Sequence, residues 1–155
     1  MVLHGGYVRG RSCRTSPGEK EQGEALVTLM RYGWGNPGSP FLKALSSMFI
    51  PDGTRKQIDS LVELKKITTS PENAIKIRTA ADRFDVSDLL KKVTVPTLVI
   101  HALNDGVHPL KQGKDLVSGI REAEFVLLDS SNHVVTPQEP AGETLQNEIR
   151  NFILV

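Results

Sequence analysis

Residues 93–140 read VTVPTLVIHALNDGVHPLKQGKDLVSGIREAEFVLLDSSNHVVTPQEP. Within them Val95–Ile100 is largely apolar and β-branched, the composition of a strand buried on both faces of a parallel sheet. A loop follows from His101 to His108, and Pro109 opens a helix to about Ile120. Glu124–Leu128 reads as a second buried strand. The loop Asp129–Pro137 then leads into a last helix from about Pro140 to Leu154. Strand, helix, strand and helix with short connections is the βαβ pattern of an α/β sheet. Ligands in such sheets bind at the carboxyl ends of the strands, so the loops 101–108 and 129–137 are where chemistry is expected.

Each loop carries one residue suited to it. Asp105 follows the first buried strand and His133 the second. A right-handed crossover places neighbouring parallel strands side by side, which lets the two side chains meet. An Asp that accepts from one ring nitrogen of a His fixes its tautomer and steadies the imidazolium. That His is then able to act as a general base toward a hydroxyl. A structural reading stands beside this one. Asn104-Asp105-Gly106 is an excellent turn sequence with no chemistry required, and His133 fits a loop residue hydrogen-bonded to backbone.

Upstream, Met1-Val2-Leu3-His4 is a short apolar strand ended by Gly5-Gly6, and Arg9–Gly18 reads as a loop. Residues from about 19 to 90 read as several helices. Ala25, Leu26, Leu29 and Met30 fall at helical spacing, as do Ile58, Leu61, Val62 and Leu64. Ser70-Pro71 is a helix start, with Ser70 the cap and Pro71 in the first turn. Ala74, Ile77, Ala80 and Ala81 then form an apolar stripe. Trp34, Phe41, Met48 and Phe49 suit either packing between short helices or the lining of an apolar pocket.

The composition narrows the class. In 155 residues, 39% are hydrophobic and 24% charged, enough to fold around a core. Nineteen Lys and Arg against eighteen Asp and Glu leave a charge of +1, which speaks against binding nucleic acid or a membrane surface through bulk charge. No apolar run reaches the roughly 18 residues of a membrane span. The single cysteine, Cys13, excludes an internal disulfide, and no Cys/His cluster offers structural zinc. A cytoplasmic location is the expectation.

The stretch quoted above resembles the C-terminal part of the α/β-hydrolase fold. The likeness rests on a VPTL-plus-apolar strand, an Asp a few residues before a Pro, a helix, a short strand and a His in an S-x-H loop, all in order. It covers residues 92–154, with the preceding helices matching a lid more weakly, and the whole chain is also similar to hydrolase-like domains fused to bacterial regulators and cyclases. The resemblance implies one partial α/β-hydrolase domain over residues 1–155. Parallel strands with flanking helices occupy 91–155, and a helical lid occupies 19–90. It also implies Asp105 as catalytic acid and His133 as catalytic base, with Trp34, His108 and Val134 as substrate contacts. The substrate would be a small apolar ester or related carbonyl compound, cleaved by a Ser-His-Asp mechanism without metal or organic cofactor.

One element of that pattern is missing from the sequence. The nucleophile elbow has the form G-x-S-x-G. Gly10-Arg11-Ser12-Cys13-Arg14 has the first Gly and the Ser but lacks the second Gly and an apolar strand before it. The resemblance therefore implies a chain truncated ahead of Met1, inactive by itself, with the nucleophile outside it. Met1–Gly6 would be the strand after the elbow helix. A second reading is that His4-Gly5-Gly6 resembles an oxyanion loop. The alternative function is a non-catalytic ligand-binding or dimerising module. An uncovered sheet edge is a template for association, so a homo-oligomer or a partner completing the sheet is expected.

Overall fold

The computed structural model describes residues 1–154. In chain order the elements are β1 (Val2–His4), α1 (Pro17–Gly33), α2 (Phe41–Phe49), α3 (Arg55–Thr68), α4 (Pro71–Arg83), β2 (Leu98–Ala102), α5 (Leu110–Gly119), β3 (Glu124–Leu128) and α6 (Pro140–Leu154). Short 3-10 turns lie at Arg11–Cys13 and Ser87–Lys92. The chain forms two compact units. One comprises Met1–Val8, Met48–Asp52 and Val86–Val155, and the other Arg9–Ser47 and Gly53–Asp85. The helical stretch expected over 19–90 is thus divided. Its residues 48–52 and 86–90 fold with the sheet, where Leu90 is buried beside Val99 and Leu116.

The sheet unit is an α/β layer structure. Its three strands are parallel in the order β1-β2-β3, with Leu98 opposite both Val2 and Glu124. The middle strand is buried along its whole length because it has a neighbour on each side and packing on each face. Successive side chains alternate between those faces. Leu98 and Ile100 pack with Leu128 and Ala141 of α6, while Val99 packs with Val8, Leu90, Leu116 and Ile120. Each Val, Leu or Ile among them, fully buried, contributes about 1.5–3 kcal/mol, so β2 is the spine of the sheet.

Two expectations are corrected here. The strand runs Leu98–Ala102 rather than Val95–Ile100. Val95 is half exposed, Pro96 has no N–H to give a ladder, and the Thr97 hydroxyl closes a local turn on the Val95 carbonyl at 2.9 Å. His101 consequently belongs to the strand and not to the loop. The second strand, β3, is buried only at Leu128, because among the described residues it lies at the sheet's edge with one strand neighbour.

In the helical unit, α1 packs on α4 and on the Arg11–Cys13 turn. Thr54 and Gln57 form a reciprocal capping box on α3, and Ser70 caps α4 with Pro71 in the first turn, as its sequence predicts. The buried face of α4 differs from the apolar stripe. Ala74 and Asp82 are buried while Ile77 is 64% exposed. An ion pair between Arg78 and Asp82, formed on that face, outranks the hydrophobic pattern. Leu29, expected on the apolar face of α1, is also exposed, and Met30 carries the packing. Among the described residues no helix is long and apolar enough to cross a membrane.

Candidate active site

Asp105 sits in the loop that leaves the carboxyl end of β2. Its Oδ1 accepts the backbone N–H groups of Val107 at 2.7 Å and His108 at 3.0 Å. This is the turn that Asn104-Asp105-Gly106 foretells, and it spends one carboxylate oxygen. The other oxygen is free to face outward from the turn. The Nδ1 of His133 lies 2.7 Å from Asp105 Oδ2. A carboxylate there makes Nδ1 the protonated nitrogen and leaves Nε2 with its lone pair. Nε2 has no hydrogen-bond partner among the described residues.

The two side chains differ in exposure. The Asp105 side chain is 1% exposed and that of His133 is 18%, so the acid is sealed and the imidazole reaches the surface. Burial by itself raises the pKa of Asp105. The hydrogen bonds from His133, His108 and Val107 outweigh it, and the carboxyl stays below its ordinary value and ionised.

His133 rests on Gly5. That glycine has φ of +59°, and a Cβ there would lie 2.7 Å from the ring's Cε1. Only a residue without a side chain both adopts this backbone and leaves the space. The rings of Phe49 and His108 meet the His133 ring edge-on, each with centroids 5.4 Å away. The Val134 N–H donates to the Phe49 carbonyl at 3.1 Å, tying the His133 loop to the Met48–Asp52 segment of the same unit. Tyr7 stacks on His108 at 4.4 Å.

The remaining two histidines lie behind this pair. His101 is fully buried, its Nε2 3.0 Å from the His108 carbonyl and 3.8 Å from Asp105 Oδ2. With Nε2–H donating to that carbonyl, the ring braces the 105–108 turn from below. His4 ends β1 with Nε2 buried and unpartnered. Burial, followed by electrostatic interaction with His133, lowers its pKa, with Asp105 opposing and His101 adding to the effect. Among the described residues no group of three His, Cys, Asp or Glu is placed to hold a metal ion.

The structure brings together Asp105, His133, His108 and Val134. Val134 is 42% exposed beside His133, and His108 is half-buried against it. Trp34, expected as a substrate contact, belongs to the other unit. It ends α1 in the helical unit, buried, with Gly35, Thr69 and Pro71 lining the same hollow. Tyr7 and His101 have no signal as site residues in the sequence, whereas Phe49 is among the residues suited to line a pocket and Gly5 is part of the oxyanion-loop reading. The Gly5-Gly6 pair directly after a strand is a usable signal, since strand ends at this rim are where backbone must pass close to a side chain. Arg11-Ser12-Cys13, the nearest approach to a nucleophile elbow, forms a 3-10 turn in the helical unit.

No family model matches the chain. The RutD protein of Rhizobium rhizogenes, named as a carbamate hydrolase, is 32% identical over 81 residues, which is 52% of this chain and 30% of that protein. Among solved structures, a hydrolase of Oleispira antarctica superposes with a TM-score of 0.77 at 17% identity, covering 97% of this chain and 55% of that one. The esterase of Exiguobacterium antarcticum gives 0.77 at 21% identity, covering 96% and 56%. The enol-lactonase of Burkholderia xenovorans gives 0.71 at 20%, covering 99% and 55%. The chain thus has the α/β-hydrolase fold over its own length, and it spans little more than half the length of these structures.

Proposed function

We propose that this chain supplies the acid–base pair of a carbonyl hydrolase acting on small carboxylic esters. The observation that carries the reading is the Asp105–His133 hydrogen bond of 2.7 Å, with the carboxylate sealed and Nε2 unspent. In the step so read, Nε2 takes the proton of a hydroxyl as its oxygen bonds to the substrate carbonyl carbon. Asp105 holds the resulting imidazolium. The same proton passes to the leaving alkoxide as the C–O bond breaks. The names of the similar proteins, which describe a hydrolase, an esterase, a lactonase and a carbamate hydrolase, agree with carbonyl chemistry as the class.

The attacking hydroxyl is read as a serine on polypeptide added at the outer edge of β1. Among the described residues β1 has one strand neighbour, and its carboxyl end leads into Gly5 beneath His133. A parallel strand added there ends beside the same imidazole. Without it, water takes the serine's place on an activated ester.

The test is hydrolysis of p-nitrophenyl butyrate by the full chain and by His133→Ala. General-base assistance is worth roughly 10²–10⁴-fold, and a loss of that size in the variant supports the reading. Equal rates for the two proteins would overturn it. A fluorophosphonate probe then separates the nucleophiles, labelling a serine and leaving a water route unlabelled.

A further inference from the structure

We propose that Glu139 is a positioning residue for His133, a carboxylate clamp that closes the loop carrying the imidazole; this rests on the acid–base role assigned above. Its Oε2 accepts the Ser130 hydroxyl at 2.7 Å, and its Oε1 accepts the Asn132 side-chain amide at 3.0 Å and the Thr136 backbone N–H at 2.6 Å. One carboxylate thereby joins residues three before, one before and three after His133. The Thr136 contact is local, since the Glu139 N–H also returns to the Thr136 carbonyl at 3.3 Å. The Ser130 and Asn132 contacts are not. They reach across the loop and tie the segment directly ahead of His133 to the start of α6.

The clamp is anchored on both sides. Ser130 and Asn132 are 7% and 2% exposed, and the Asn132 N–H donates to the Ser130 hydroxyl oxygen at 3.0 Å. The Asn132 side-chain oxygen accepts the Asp52 N–H at 3.1 Å. At the other end, Glu139 directly precedes α6, whose Gly142 lies so close that a Cβ would stand 2.3 Å from the Thr136 carbonyl oxygen. The carboxylate thus joins the loop to the start of α6. Charge-assisted hydrogen bonds of this kind are about twice as strong as neutral ones, and three of them converge on a loop that has no regular structure of its own. Burial acts to raise the pKa of Glu139, but the bonds from Ser130, Asn132 and Thr136 bring it below its usual value, which keeps the clamp ionised at neutral pH.

The experiment reads His133 directly, in the full chain labelled with ¹⁵N-histidine. In the wild type the ring nitrogens report one tautomer, with the proton on Nδ1. In Glu139→Ala the same signals are expected to broaden or to show both tautomers, while amide signals of β2 and α5 stay in place. In the p-nitrophenyl butyrate assay kcat falls at least about tenfold with KM held within about twofold. Glu139→Gln, which keeps the acceptor for Thr136, recovers part of each effect. An unchanged tautomer in a folded Glu139→Ala protein overturns the proposal. If that variant does not fold, Ser130→Ala removes one arm of the clamp, and unchanged His133 signals there overturn the proposal equally. The readouts separate two failures. A chain with no His133-dependent hydrolysis but a Glu139-dependent tautomer loses the hydrolase reading and keeps the clamp. Normal hydrolysis with a tautomer indifferent to Glu139 loses the clamp alone.

Discussion

Asp105 Oδ2 and His133 Nδ1 stand 2.7 Å apart across 28 residues of sequence. The contact forms because β2 and β3 are adjacent, parallel and in register through Ala102 and Leu128, so the loops leaving both strands start at one level. The Leu103 N–H continues the ladder to the Leu128 carbonyl at 2.9 Å, and the Asn104 N–H reaches the Ser130 carbonyl at 3.1 Å. The two loops are hydrogen-bonded to each other before their side chains meet.

Asp105→Asn tests what the carboxylate does beyond holding its turn. An asparagine still accepts the Val107 and His108 N–H groups through Oδ1. Its amide nitrogen then faces His133 Nδ1, where two donors meet, and the imidazole switches its proton to Nε2. Loss of a hydrogen bond to a charged group costs about 1.5–3 kcal/mol of stability. His133-dependent ester hydrolysis is expected to fall by about 10³–10⁴-fold, the cost of a wrong tautomer in this chemistry. Urea unfolding and the p-nitrophenyl ester assay measure the two effects, and an unaltered hydrolysis rate would show that Asp105 only shapes its loop.

Gly5→Ala should displace His133 without touching Asp105. The substitution places a Cβ 2.7 Å from the ring and forces an L-residue into φ +59°. The left-handed conformation alone costs about 1–2 kcal/mol. The ring has Phe49 and His108 on other sides, so it has little room to yield. Histidine ring NMR should show the Asp105 partnership broken, with a drop in unfolding midpoint. A wild-type His133 spectrum would mean that the glycine serves only the chain's bend.

The strand, loop and helix order of residues 98–154 was legible because a β-branched run between turn residues admits few other readings, and the order alone puts Asp105 and His133 at one rim. What stayed hidden depends on tertiary contact. Gly5 reads as a strand stop, and only the fold lays an imidazole on it. Glu139 reads as a helix-flanking charge, yet its carboxylate turns back into the preceding loop. On α4 the regular spacing of Ala74, Ile77 and Ala81 suggests an apolar face, and the Arg78–Asp82 pair reverses it. Trp34 carries no signal of which unit it joins, and the fold places it in the helical one.

Acid pH should loosen the site in a defined window. Asp105 and Glu139 both have folded pKa values below their ordinary ones. Groups depressed on folding contribute stability that is present above the unfolded values, about 3.9 and 4.3, and is lost as pH falls through the lower folded values. Stability measured by urea titration should therefore decline below about pH 4.5. In the double variant Asp105→Asn/Glu139→Gln that decline should be shallower. Parallel acid limbs in the two proteins would assign the acid sensitivity to other carboxylates.

Two helical glycines should respond to alanine with opposite signs. At Gly113 of α5 a Cβ would stand 2.7 Å from Nδ1 of the fully buried His101. That ring is pinned by its bond to the His108 carbonyl, so the clash passes into the 105–108 turn. Overpacking of this kind costs about 1–3 kcal/mol, against the roughly 1 kcal/mol that alanine gains in a helix. At Gly18 in the first turn of α1 nothing lies within 4 Å, and only the gain remains. Urea midpoints should fall for Gly113→Ala and rise for Gly18→Ala, and a rise at both would show that His101 has room to move.

Lys65 provides a pH test in the helical unit. Burial lowers its pKa to about 8, and Nζ donates to the Oγ of Ser46, which is fully buried, at 3.3 Å. A lysine whose folded pKa lies below the unfolded one disfavours folding in its charged form. The penalty is absent above the ordinary value of 10.5, grows as pH falls from there to about 8, and is constant below. Raising pH through that window should therefore stabilise the wild type relative to Lys65→Met, which cannot titrate. The methionine also deprives Ser46 of its donor, but that loss does not vary with pH, so the slope of the stability difference isolates the ammonium. Unfolding midpoints for both proteins across that window supply the measurement, and a constant difference between them would mean that the Lys65 ammonium stays solvated beside Ser46.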